Sequence, residues 1–81
     1  MKLKYSKKYL KALHDLFLSD PARGPLYNEI IATTEKQKAA AHQKLLKYGY
    51  INTANYGDGE QWKLYYNDVV IIEIVVCYWC M

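Results

Sequence analysis

The segment TEKQKAAAHQKLLKYGYI, residues 34–51, decides the fold that the sequence predicts. Thr34 and Gln37 have the spacing of a capping box, in which a threonine hydroxyl and a side chain three residues later bond to each other's free backbone N–H groups at the start of a helix. Gly49 is the residue type that most easily takes the left-handed conformation at a helix end. The segment therefore predicts a helix from Thr34 to Tyr48 and a change of structure after it.

Two further helices are predicted before this one. Apolar residues recur at spacings of three and four over residues 5–18, which is typical of one buried helix face, and Ser6 is a suitable N-cap. Prolines and a glycine in residues 19–25 predict a loop. Residues 26–32 again carry apolar side chains at helical spacing, so we expect a short second helix there.

After the glycine the sequence period changes from helical to two. Residues 50–56 and 61–66 are rich in aromatic and β-branched side chains, and Gly57-Asp58-Gly59 between them is expected to supply the positive φ angles of a hairpin turn. Asn67-Asp68 marks a second turn. The valine- and isoleucine-rich segment from Val69 to Trp79 predicts a strand, with a helix as the alternative.

This C-terminal strand is apolar on both faces, and both faces therefore need cover. A chain of this size buries only roughly 60% of the surface that it exposes when unfolded, and it has few spare elements. We expect a second copy to supply the cover, which makes residues 67–81 the dimerisation segment of a homodimer. The predicted interface comprises Val70, Ile72, Ile74, Val76, Tyr78 and Trp79.

Charge is distributed unevenly along the chain, whose formal net charge is +3. Residues 1–47 hold ten lysines and arginines against four acids, whereas residues 48–81 hold one lysine against four acids. The basic half is therefore the half predicted to be helical. The N-terminus lacks the apolar core of a signal peptide, and the apolar C-terminal segment is shorter than the about 20 residues of a spanning helix, so we expect a cytoplasmic protein with no membrane partner.

Three predicted helices followed by a hairpin, joined by LLKYGYI over residues 45–51, resemble the winged helix-turn-helix family. In that family leucines end a helix, a glycine turns the chain, and an aromatic and an aliphatic residue begin the wing. The resemblance covers roughly residues 5–66 and implies three helices and a β-hairpin wing. With the apolar C-terminal strand added, we expect one α+β domain over residues 1–81. In composition the chain is similar to small winged-helix proteins of viruses and phages.

The same resemblance implies that the helix over residues 34–48 reads double-stranded DNA in the major groove, as in a transcriptional regulator. Lysines there would neutralise phosphates or reach guanine edges, glutamine would pair with adenine, and alanines would permit close approach. The DNA-binding residues so implied are Lys36, Ala40, Gln43, Lys44 and Lys47 on the helix, with Lys63 from the wing. The alternative is a helix face that is merely solvated.

Acidic residues in the predicted wing favour a second hypothesis. Its tip, Gly57-Asp58-Gly59-Glu60, would repel phosphates, whereas wings that enter the minor groove usually carry Arg or Lys. The same fold would then serve as a protein-binding adaptor or as an inhibitor of a host protein.

Catalysis and metal binding have little support in the sequence. His14 and His42 lack an acid or nucleophile at a recognisable spacing, and His42 is expected to pack on the inner side of its helix. We therefore predict no enzyme activity, no cofactor and no metal. Cys77 and Cys80 form a single CxxC without the second pair that zinc requires, which leaves a disulfide or two apolar buried cysteines as the alternatives.

Overall fold

Residues 3–78 form two helices and one four-stranded sheet, and they are the part of the chain that the computed structural model describes. The elements in chain order are α1 (Lys7–Ser19), a single 3-10 turn (Pro21–Arg23), β1 (Leu26–Ile31), α2 (Glu35–Lys47), β2 (Ile51–Tyr56), β3 (Gly59–Tyr66) and β4 (Val69–Cys77). The strand order is β1-β4-β3-β2, with β1 parallel to β4 and the other two pairs antiparallel. The protein is an α+β fold with a mixed sheet.

The prediction of a winged helix-turn-helix fold is therefore wrong. The segment Leu26–Ile31, expected to form the second of three helices, is strand β1. It pairs with β4 along its whole length, from Leu26 opposite Ile72 to Ile31 opposite Cys77. Because this pairing satisfies the backbone groups on one side of β1 across the sheet, it overrides a local spacing that suited a helix equally well.

Both long helices begin at the caps that the sequence predicts. The Ser6 hydroxyl accepts a hydrogen bond from the backbone N–H of Tyr9 at 3.2 Å. At α2 the Thr34 hydroxyl accepts from the N–H of Gln37, and the Gln37 side chain accepts from the N–H of Thr34, which completes the capping box. Within residues 3–78, no helix has the length and apolar character needed to cross a membrane.

The two hairpin turns differ in backbone geometry, and only the second is formed as expected. Asn67 and Asp68 have φ angles of 48° and 64°, which suit the two-residue turn between β3 and β4. Neither Gly57 nor Gly59 has a positive φ, so the expectation for the first turn is wrong. The positive-φ positions thus fall at the Asn-Asp turn, where both residue types tolerate that conformation.

Strand β4 departs from regular alternation at one point. Leu64 lies opposite Ile72 while Tyr65 lies opposite Val70, so Ile71 is an extra residue on β4. Such a bulge redirects side chains, and here Ile71 and Ile72 are both completely buried. Val70 in consequence lies with Tyr65 on the opposite face of the sheet.

Both helices pack on the same face of the sheet. The ring of His14 on α1 contacts Tyr66, and the ring of His42 on α2 contacts Trp62, and these two partners alternate along β3 onto one face. The core between the helices and this face contains Leu13, Leu45, Tyr50, Trp62, Leu64, Ile71, Ile72, Ile74 and Val76. The opposite face of the sheet, termed the outer face, carries Tyr27, Ile31, Ile51, Tyr56, Tyr65, Val70 and Val75.

Three of the six residues predicted for the dimer interface are buried inside the chain itself. Ile72, Ile74 and Val76 are completely buried beneath the chain's own helices, so they do not face a partner. The Tyr78 hydroxyl donates a hydrogen bond inside the chain. Val70 alone among the six predicted interface residues lies on the outer face, and Trp79 falls outside the described residues.

Gly59 is required because β3 passes very close to β4 there. An added Cβ would lie 2.5 Å from the carbonyl oxygen of Val76, whereas one added at Gly57 would have no atom within 4 Å. We therefore expect Gly59→Ala to lower the free energy of unfolding by about 1–3 kcal/mol, the usual effect of overpacking. Gly57→Ala, the matched control, is expected to stay within about 0.5 kcal/mol of wild type. Urea unfolding of both variants checks this; equal stabilities would contradict it.

Candidate nucleic-acid interface

The outer side of α2 carries five of the six predicted DNA-binding residues. Ala41 and Leu45 are buried and fix the inward side of the helix. The five residues on the other side are all exposed and are termed the α2 face: Lys36, Ala40, Gln43, Lys44 and Lys47. The structure thus presents them together on one surface, as helical spacing predicts.

The start of the chain lies beside the second half of α2. The Tyr50 hydroxyl donates a hydrogen bond to the carbonyl oxygen of Leu3 at 3.0 Å. Leu3 also lines, together with Ala40 and Lys44, a groove of about 270 Å³ between α2 and β1. Exposed Lys4 follows Leu3 directly and so lies near the α2 face, and three further exposed lysines follow in the first turns of α1: Lys7, Lys8 and Lys11.

The helices and the segment leading into them form a strongly basic layer. Residues 3–20 and 34–47 together hold eight lysines and three acids. One of those acids, Glu35, is paired with Lys38 at 3.2 Å. Lys44 and Lys47 also lie in the last turn of α2, where cations are favoured by the partial negative charge of the helix end. The net positive charge of the protein is thus concentrated on one side of the fold.

Lys63 lies apart from the other five predicted residues. It is on β3 with its side chain on the outer face, opposite Ile51 on one side and Glu73 on the other. The sheet therefore separates it from α2. A single nucleic-acid surface that includes Lys63 and the α2 face is not formed.

The acid expected at the tip of a wing, Glu60, is instead buried inside the fold at 4% exposure. Its carboxylate accepts hydrogen bonds from His42 Nε2 at 2.5 Å and from Trp62 Nε1 at 2.8 Å, and from the Tyr78 hydroxyl. Lys38 Nζ lies 4.3 Å from the centre of the Tyr78 ring. Of the two acids in the predicted tip, only Asp58 in the turn therefore faces solvent.

Hydrogen bonding sets the ionisation of this cluster. Burial by itself raises the pKa of Glu60, but the donors Tyr78, Trp62 and His42 outweigh it and lower that pKa below its ordinary value of 4.5. Burial and the hydrogen bond to Glu60 together raise the pKa of Tyr78 to about 12. The cluster thus contains a stable carboxylate and a neutral phenol, an arrangement that fixes α2 on the sheet and leaves neither group poised to transfer a proton at neutral pH.

This cluster was not predicted from the sequence. Glu60 and Trp62 are two apart, which places them on one strand face, and this alternation is the local signal that was available. This alternation did not lead to a prediction of burial for Glu60, because an acid beside a Gly-Asp-Gly turn is usually exposed. The partners His42 and Tyr78 are each 18 residues from Glu60, so only the tertiary fold brings them together.

Replacing Glu60 tests the cluster. A group whose folded pKa is lowered stabilises the fold above its ordinary pKa of 4.5, and that stability is lost as pH falls through the lower folded pKa. Glu60→Gln is therefore expected to lower the free energy of unfolding at pH 7 by about 1–3 kcal/mol, with the deficit shrinking below pH 4.5. Chemical unfolding at several pH values measures it. Asp58→Asn, which removes an exposed carboxylate, is the control; an equal effect from both variants would contradict the role of Glu60.

Metal and disulfide sites find no further support in the described part of the chain. Residues 3–78 contain no group of three histidine, cysteine or acidic side chains that could hold a metal ion. Cys77 is half-buried with a free thiol. The candidate disulfide with Cys80 falls outside the described residues, so it stays a prediction.

Comparison with known proteins adds no family to this geometry. The chain matches no protein-family model, no curated protein and no solved structure. The winged-helix resemblance therefore rests on the sequence pattern alone, and the strand at Leu26–Ile31 departs from it. What the protein binds has to be inferred from its own surfaces.

Proposed function

We propose that the protein binds double-stranded DNA through the α2 face, with the lysines at the start of the chain contacting adjacent phosphates. One observation carries the proposal: eight lysines and only three acids are gathered on the helical side of the fold. Clustering of this kind is the electrostatic signature of nucleic-acid binding. Regulation of transcription is the role that we propose for such binding.

The dimensions of α2 suit this role. Its 13 residues give a length of about 20 Å, and the major groove, about 12 Å wide, admits one helix. Lys36 and Lys47 at the two ends can reach phosphates on either side of the groove, and Gln43 between them can form paired hydrogen bonds with adenine. Ala40 is small enough to allow the helix axis to approach the base edges.

The distribution of aromatic residues favours duplex over single-stranded nucleic acid. Stacking of unpaired bases needs exposed aromatic rings within a positively charged groove. The exposed rings of Tyr27, Tyr56 and Tyr65 lie on the outer face, where Glu29 and Glu73 accompany the single lysine. On the basic side, the exposed ring of Tyr9 is stacked on the ring of Tyr5. Most of the exposed rings thus lie on the side opposite to the positive charge.

Charge reversal tests the proposal. We expect Lys36→Glu, Lys44→Glu and Lys47→Glu combined to weaken binding to a pool of random duplexes at least tenfold at 50 mM salt. If the three lysines contact phosphates, their loss reduces the slope of log affinity against log salt by about 2.7, since each contact contributes about 0.9. Fluorescence anisotropy titrations at about 50 to 200 mM salt measure both the affinity and its dependence on salt.

The matched pair Lys44→Glu and Lys63→Glu separates the surface from the net charge. Both variants change the charge equally, but Lys44 is on the α2 face and Lys63 on the outer face. Only Lys44→Glu is expected to lower affinity. Equal effects would indicate attraction by net charge alone, and unchanged affinity in the triple variant would contradict the proposal.

Protein binding, as an adaptor or an inhibitor of a host protein, is the second candidate function. It is favoured by an apolar groove of about 300 Å³ where α1 ends, whose lining includes Leu16, Phe17 and Leu26, with Arg23 at its edge. Leu16 and Leu26 are exposed, although they are large and apolar. An apolar groove edged by one charged residue is a common form of protein-binding surface.

A capture experiment distinguishes the two functions. If this candidate function is correct, the immobilised chain retains one protein from the source organism after nuclease treatment. The Leu16→Asp variant does not retain it. Lys44→Glu, the control on the α2 face, would leave the capture unchanged. Recovery that depends on intact nucleic acid, or that persists in Leu16→Asp, would contradict protein binding through this groove.

A further inference from the structure

Half of the exposed large apolar side chains in residues 3–78 lie on the outer face. These five side chains are each 41% to 59% exposed: Tyr27, Ile31, Ile51, Tyr56 and Tyr65. Val70 and Val75 lie on the same face and are half-buried, and the polar residues among them include Glu29, Gln61, Lys63 and Glu73. Exposed apolar side chains bordered by polar residues commonly mark an interaction surface.

Several polar groups on this face have hydrogen-bond partners within it. Gln61 donates a hydrogen bond to Glu73, and the Tyr27 hydroxyl donates to Glu29 at 3.0 Å. Lys63 lies opposite Glu73 on the neighbouring strand. Covering the face would leave the two hydrogen bonds intact, which reduces the usual cost of burying polar groups.

We propose that a second copy of the chain packs on the outer face, so that two sheets lie face to face with the helices outside. Charge favours this occupant. The outer face holds one lysine and two glutamates, whereas the helical layer of each copy is strongly basic. Pairing through the sheets keeps the two basic layers on opposite outer surfaces, as far apart as the fold allows, and thereby minimises their repulsion.

The area of the face agrees with a stable dimer. The four strands are spaced about 4.8 Å apart, and each has six to nine residues with a rise of about 3.3 Å per residue. The face therefore has a footprint on the order of 500 Å². Covering that footprint on both copies removes on the order of 1,000 Å² in total, about the area that a specific interface needs. Sheets pack in this way at about 10 Å, with side chains interdigitating.

The composition of β4 points the same way. Four of its side chains toward the helices are completely buried, and its other face carries Val70, Val75 and Cys77 beside Glu73. A strand that is largely apolar on both faces is typical of a sheet that is covered on both. A second copy supplies the missing layer for a chain too short to supply its own.

The interface is tested by sedimentation of the full chain in reducing buffer. Concentrations of about 5–100 µM distinguish weak dimers from stable ones. Wild type is expected at twice the 9.5 kDa chain mass. Ile51→Glu and Tyr65→Glu, which place charge in the interface, are each expected to weaken association at least about 100-fold and to sediment as monomers. Leu46→Glu makes the same kind of change at an exposed residue of α2 and should leave the dimer intact.

Folding of each variant is followed by circular dichroism, and Tyr56→Glu on the edge strand is a substitute if either variant unfolds. Monomeric wild type throughout the concentration range would overturn the proposal. So would a dimer that survives the outer-face changes or that is lost equally with Leu46→Glu. DNA affinity is expected to remain within about twofold in the outer-face variants, because the α2 face is on the other side, so this proposal and the proposed function fail independently.

Discussion

Burial of β4 is the interaction on which the rest of the structure depends. Four of the five largest completely buried side chains belong to it: Ile71, Ile72, Ile74 and Val76. Each contributes about 1.5–3 kcal/mol relative to exposure. β1 and β3 both pair with this strand, and α1 packs on it, so the positions of these three elements follow from it. α2 is then held over the sheet by Leu45 and by the Glu60 cluster.

This arrangement separates two surfaces of different chemistry. The helices cover one face of the sheet, and residues 3–20 and 34–47 carry eight of the eleven lysines and arginines, while the other face is open and carries five exposed large apolar side chains. The separation explains why Lys63 cannot act together with the α2 face, although it seemed a natural companion in sequence. It also allows DNA binding and self-association to proceed on opposite sides without competing for residues.

Local signals in the sequence were sufficient for α1, α2, the hairpin and β4, because caps, turns and alternation are local. They were insufficient for Leu26–Ile31, where two turns of helix and six residues of strand fit equally well and the deciding partner, β4, is about 45 residues away. The apolar character of both faces of β4 was the available signal for a parallel neighbour. That apolar character was interpreted only as evidence for a second copy of the chain. The burial of Glu60 likewise depends on distant partners.

The central claim is that DNA meets the helical layer and not the sheet. Amide chemical-shift changes, measured by NMR as a duplex is titrated into the labelled protein, test it most directly. The account predicts shifts concentrated in residues 36–47 and 4–11, with the amides of Ile51, Tyr65 and Val75 unchanged. Shifts concentrated on the outer face, or no shifts at a duplex concentration well above that of the protein, would contradict it.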